Sequence, residues 1–150
     1  MASNRTAQDV IEALGLTPHP EKGHFIETFR DRETNANGKS HSTCIYYLLE
    51  GATGASNWHR VRGSVEVWHH YAGAPLQLSL SRDDGSPTQD NILGKDIWAG
   101  EKPQIVVQSN VWQHALSLGD WTLVGCTVAP AFTEEAFEMA KEGWEPRGRV

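Results

Sequence analysis

Polar and apolar positions trade places in short runs along most of this chain, and Gly, Pro, Asn and Asp separate one run from the next. Pro75 to Ser81 alternates cleanly, with Leu76, Leu78 and Leu80 on one face, as in a strand with one side buried. Thr43 to Leu49 is apolar or β-favouring almost throughout, the pattern of a strand covered on both sides. His24 to Arg30, Asn91 to Asp96, Gln104 to Gln108, Val111 to Ser117 and Trp121 to Val128 add further short strands. A polar loop is expected at Asp31 to His41, with turns at Asp83 to Pro87, Gly100 to Pro103, Ser109-Asn110 and Gly119-Asp120. Many short strands with no long helix between them predict an all-β sandwich or barrel.

Short helices are expected at the two ends. Thr6 to Leu14 starts on an N-cap, Thr6, with Asp9 three residues on, puts Val10, Ile11 and Leu14 on one face and stops at Gly15. Thr133 to Glu142 has the same grammar: Thr133 as cap, Glu134 and Glu135 at the positive end of the dipole, and Phe132 with Phe137 as a hydrophobic staple. Gly143 closes it, and Trp144 in the tail can dock on the barrel.

The densest chemistry lies between Ser56 and Gly73. Asn57 to Arg62 and Val65 to Tyr71 read as two antiparallel strands joined by a tight turn at Gly63-Ser64. Strand parity places Glu66, Trp68 and His70 on one face, leaves His69 on the other, and lets pairing bring His59 to Glu66. A carboxylate turned into a barrel needs a cation, a metal or a hydrogen-bond donor, so His59 and Glu66 are the candidate catalytic pair. Trp68 is the candidate pocket wall. His19, His24 and His41 have no ligand spacing and are expected on the surface or in loops, and His114 is expected to face an interface or solvent. Trp58, Trp98, Trp112 and Trp121 are assigned to packing.

Composition narrows the partners. The chain has 150 residues, one domain spanning its whole length, with a net charge of -6 that offers no basic footprint for nucleic acid or anionic membrane. Cys44 and Cys126 each lie in an apolar run and are expected as reduced thiols. The first residues, Met1 to Thr6, contain no apolar signal core and no stretch is long enough to span a bilayer, so a soluble cytoplasmic protein is expected. No glycine loop for nucleotides and no nucleophile elbow is present.

His59, Val61, Glu66 and Gly73 fall at the spacing of the first cupin motif, with Val61 where the second His belongs. Gln108 to Gln113 aligns with the second motif, with Gln113 at its metal-ligand position. Together with Thr17-Pro-His-Pro-Glu-Lys-Gly-His, Cys44-Ile-Tyr-Tyr-Leu-Leu-Glu, Trp58-His-Arg-Val and Val124-Gly-Cys-Thr-Val-Ala-Pro, the chain resembles a small single-domain cupin subfamily of unassigned function. That subfamily is related in fold to the deoxysugar-nucleotide epimerases. The resemblance covers roughly Val10 to Gly143. It implies a double-stranded β-helix, the cupin jelly-roll barrel, with a pocket at one mouth and assembly as a homodimer.

Strand order taken from the family adds Phe25, Glu27, Ile45 and Tyr47 to the pocket, and the motif adds Gln113 as a hydrogen-bonding ligand contact beside Trp68 and His70. No cofactor is expected, because the ligand set shrinks to His59, Glu66 and Gln113, although a divalent metal on those three stays open. The functional expectation is a small-molecule-binding cupin working as a metal-independent isomerase or epimerase on a carbohydrate- or nucleotide-related metabolite. A non-catalytic binding or sensing module and a metal-binding cupin with a reduced ligand set are the alternatives.

Overall fold

The N-terminal helix, α1 (Ala7–Leu14), begins where Thr6 predicts it. The Thr6 hydroxyl accepts from the Asp9 amide at 3.1 Å, the Asp9 carboxylate accepts from the Thr6 amide at 2.9 Å, and Gly15 ends the helix at φ 68°. This reciprocal cap stabilises the first turn by about 1 kcal/mol. The computed structural model describes residues 4–148, so the first three residues of the N-terminal stretch and the last two of the tail lie outside the described residues.

After α1 the chain runs through β1 (Thr17–Pro18), β2 (His24–Arg30), β3 (Thr43–Glu50), β4 (His59–Val61), β5 (Val65–Gly73) and β6 (Leu76–Ser81). It continues through β7 (Gln89–Leu93), β8 (Gln104–Val107), β9 (Trp112–Ser117), β10 (Trp121–Ala129) and β11 (Phe137–Met139). Two antiparallel sheets result, one ordered β1-β2-β3-β10-β5-β8 and the other β11-β4-β9-β6-β7. The expected all-β double-stranded β-helix is therefore present. The inward faces meet in one core of Tyr47, Leu49, Trp68, Leu76, Leu78 and Val124 with their neighbours. Helix α1 lies outside it, where Val10, Ile11 and Leu14 pack toward Leu16 and Leu48.

Three expectations are corrected. β4 and β5 are not a hairpin: β4 pairs with β9 and β11, β5 with β10 and β8, and the Gly63-Ser64 joint steps from one sheet to the other. The joint is fastened on both sides, because the Gly63 amide donates to Ser109 Oγ at 2.8 Å and Ser64 Oγ donates to the Pro130 carbonyl at 2.8 Å. A turn within one sheet and a step between two sheets use the same Gly and Ser chemistry, so local pattern does not separate them. The C-terminal helix is absent. Thr133 caps a single turn, with the Ala136 and Phe137 amides donating to its carbonyl, and then β11 pairs with the edge of β4. Sheet pairing and burial of Phe132 and Phe137 against Val61, Val128 and Ala136 outweigh the helix propensity of that stretch. Finally, Trp98 is 92% exposed rather than packed. No helix among the described residues is long and apolar enough to cross a membrane.

Candidate functional site

A cavity of about 410 Å³ opens between the sheets. β2 contributes Phe25, Glu27 and Arg30, β3 contributes Ile45 and Tyr47, and β5 contributes Glu66 and Trp68. His59 and Val61 enter from β4, Cys126 and Val128 from β10, and Phe137 from β11. Phe25, Glu27, Ile45 and Tyr47 thus stand in the lining with His59, Glu66 and Trp68.

Two lining groups have a position that sequence reasoning missed. His19, expected on the surface, and Glu21 arrive from the turn between β1 and β2, and Glu21 is 5% exposed. The turn is stiffened by Pro18 and Pro20 and folds on itself: the Glu21 amide donates to His19 Nδ1 at 3.1 Å, and the His19 amide donates to the Gly23 carbonyl at 2.8 Å. The signal was the Pro-His-Pro-Glu text itself, a rigid segment carrying two ionisable groups; spacing alone does not reveal where it points.

His59 pairs with Glu21, not with Glu66. Glu21 Oε2 lies 3.1 Å from His59 Nε2, and His59 Nδ1 lies 2.9 Å from the Asn57 carbonyl. A carbonyl can only accept, so Nδ1 carries a hydrogen and the neutral ring turns its lone pair on Nε2 toward Glu21. One proton is therefore shared between the two groups. Burial pushes the His59 imidazole down to about 4, while burial and then the nearby Glu66 charge push the Glu21 carboxyl well above the usual range. Both shifts place the shared proton on Glu21, which donates it to a neutral imidazole. Burial also lowers His19 to about 4.

Glu66 is held differently. Gln113 Nε2 donates to Glu66 Oε1 at 2.8 Å, and Gln113 Oε1 accepts from Trp68 Nε1 at 2.8 Å. Burial raises the Glu66 pKa, and the donors Gln113 and Cys126 oppose that rise. Gln113 is 1% exposed and lies behind the lining, so it orients Glu66 and Trp68 rather than facing the cavity. Its expected role as a direct ligand contact is corrected accordingly.

His70 also falls elsewhere. Strand parity does turn it inward, but it sits beyond the cavity with Nε2 3.0 Å from the Ala74 carbonyl. His114 stacks on Trp58 with ring centroids 3.9 Å apart. Trp144 packs edge-on against Trp58 and lies 4.7 Å from Trp112, fastening the tail to the outer face.

The reduced metal set of His59, Glu66 and Gln113 does not fit a cation. Gln113 has its only acceptor on Trp68 and presents an N–H to Glu66, while both His59 nitrogens are committed to Asn57 and Glu21. Among the described residues no group of three or more His, Cys, Asp or Glu side chains is arranged to hold a metal ion.

Solved structures share this architecture. A Shewanella oneidensis protein is 30% identical with a TM-score of 0.84, covering 91% of this chain and 85% of its own. A hypothetical protein from Leishmania major is 28% identical with a TM-score of 0.81, covering 89% and 86%. A variant of Streptomyces PAC13 with uridine shares the fold at 14% identity and a TM-score of 0.57, covering 93% and 92%. No curated protein matches the chain. A family model described as Cupin superfamily (DUF985) matches residues 8–140, nearly the whole barrel with its cavity, and the chain belongs to that family.

Proposed function

We propose that the cavity binds a small hydroxylated metabolite and moves protons on it by general acid–base catalysis, as in isomerisation or epimerisation. The observation that carries this reading is that one cavity holds two buried carboxyls with different partners: Glu21 Oε2 lies 3.1 Å from His59 Nε2, whereas Glu66 accepts from Gln113 at 2.8 Å. Two buried carboxyls with different hydrogen-bond partners divide the acid and base roles in this reading: Glu21 faces an imidazole lone pair, and Glu66 accepts from an amide N–H. Glu66, on β5 of one sheet, takes a proton from the substrate. The Glu21–His59 pair, anchored on β4 of the facing sheet, returns one, and solvent exchange resets both groups.

Glu21 takes the place beside His59 that was expected for Glu66, and no step runs through a metal. His59 acts on the proton held by Glu21, with Asn57 fixing its ring. Aromatic faces from Phe25, Trp68 and Phe137 surround these groups and exclude water. Exposed Phe29, Tyr71 and Val106 support the further reading that the chain pairs with a second copy. Sedimentation showing only monomer at micromolar concentration would remove that part.

The test is a metabolite screen by NMR in heavy water. Wild type should exchange a substrate hydrogen for deuterium or convert the substrate, and Glu66→Gln and Glu21→Gln should each abolish the exchange while the substrate still binds. Ligand shifts without exchange or conversion in wild type would leave a non-catalytic binding module.

A further inference from the structure

Among the described lining residues the cavity has one Lys or Arg side chain, Arg30. Its guanidinium stands at the exposed rim and is already occupied. Nε and Nη2 donate to the Glu27 carboxylate at 3.3 and 2.7 Å, and Nη1 and Nη2 both donate to the Phe132 carbonyl at 3.3 Å. Of the five N–H groups of a guanidinium, these bonds leave one on Nη1. Glu134 adds a second rim carboxylate, so the entrance carries two acidic groups against one paired cation.

Farther in, the ionisable groups are the carboxyls of Glu21 and Glu66, the imidazoles of His19 and His59, the Tyr47 phenol and the Cys126 thiol, with no Lys or Arg among them. A phosphate or carboxylate on a ligand would shed its water there beside Glu66 without an opposite charge to meet. Hydroxyls fare better: Glu66 accepts from them, and the apolar faces of Phe25, Trp68 and Phe137 cover a ring's C–H surface.

We propose that this site selects uncharged, hydroxylated ring compounds of the free sugar or nucleoside class and rejects their phosphorylated counterparts. The proposal rests on the reading of the cavity as the substrate site and adds its charge selectivity. Glu27 is the residue that sets it, because it occupies the guanidinium fork an incoming phosphate would need.

The test uses matched probes: uridine against uridine 5′-monophosphate, glucose against glucose 6-phosphate, and glucosamine as a cation, each titrated by NMR on wild type and Glu27→Gln. In wild type the uncharged member should bind and its phosphate should bind weaker by on the order of a hundredfold. Glu27→Gln, which frees Arg30, should narrow that gap. A phosphate that binds as well as its parent, a gap unchanged in Glu27→Gln, glucosamine binding more tightly than glucose, or cavity resonances that no probe moves would each overturn the proposal. Binding of the uncharged probes without hydrogen exchange would sink the catalytic reading and leave the selectivity standing, and exchange on a phosphorylated probe would do the reverse.

Discussion

Trp68 Nε1 donates to Gln113 Oε1 across the barrel at 2.8 Å, and that single bond decides which end of the amide faces Glu66. With its oxygen committed to the indole, Gln113 can offer Glu66 only an N–H. Gln113→Leu should therefore leave a buried indole N–H without a partner and remove a donor from a buried carboxyl. The expected loss of stability is about 1–3 kcal/mol for each group left unsatisfied, read from urea denaturation. The Glu66 pKa should also rise, moving any activity limb it controls toward higher pH. A midpoint within experimental scatter of wild type would contradict the relay.

Glu21→Gln keeps a donor for His59 Nε2 but removes the mobile proton. Turnover should fall by roughly a hundredfold to ten-thousandfold while the dissociation constant changes only a few-fold. His59→Asn should behave similarly. Loss of affinity with unchanged turnover per bound substrate would mean that the pair positions the ligand and does not carry a proton.

The pH dependence of stability follows from opposed groups. His19 and His59 titrate at about 4 when folded against 6.5 when unfolded, so their contribution is complete above pH 6.5 and is lost as pH falls toward 4. Glu21 and Glu66 are raised when folded, so theirs is complete below the unfolded value of 4.5 and is lost as pH rises through the folded value. Between 4.5 and 6.5 the two sets oppose each other. Glu66→Gln removes one opposing group, so stability should fall more steeply on acidification, by up to about 1.4 kcal/mol per pH unit for each proton unmasked. At pH 8 the variant should be more stable than wild type. Urea midpoints for both proteins across pH 4 to 8 check both statements, and parallel curves would refute them.

Gly73 ends β5 at φ 82°, and a Cβ there would stand 2.5 Å from the Trp121 carbonyl oxygen. Gly73→Ala should cost at least about 1–3 kcal/mol from backbone strain alone, with the steric clash added. A thermal or urea midpoint equal to wild type would show that the turn can relax.

The strands and α1 were legible because alternation and capping are local properties: Thr6 with Asp9, and Leu76 with Leu78, act within a few residues of themselves. Parity correctly turned Glu66 and Trp68 inward for the same reason. What was not legible depends on which sheet a strand joins. Gly63-Ser64 gives no sign that it crosses between sheets, so His59 was paired with the carboxylate nearest in sequence, and Glu21, 38 residues upstream, was passed over. The segment after Thr133 carries a helix start that is obeyed for one turn, until the open edge of β4 offers hydrogen bonds that no local rule anticipates. The family-derived strand order recovered Phe25, Glu27, Ile45 and Tyr47 because it encodes that long-range pairing.

β10 lies between β3 and β5, yet it is the next-to-last strand to be synthesised. Until residue 129 has been made, β3 and β5 each lack their shared central partner, and their apolar edges stand open during synthesis. The six-stranded sheet therefore closes late, in a step dominated by contacts distant along the chain, and folding is expected to be slow for a chain of this size. A chain stopped before β10 would keep His19, Glu21, His59 and Glu66 but lose the strand that sets β5, with Glu66, in register against β2 and β3.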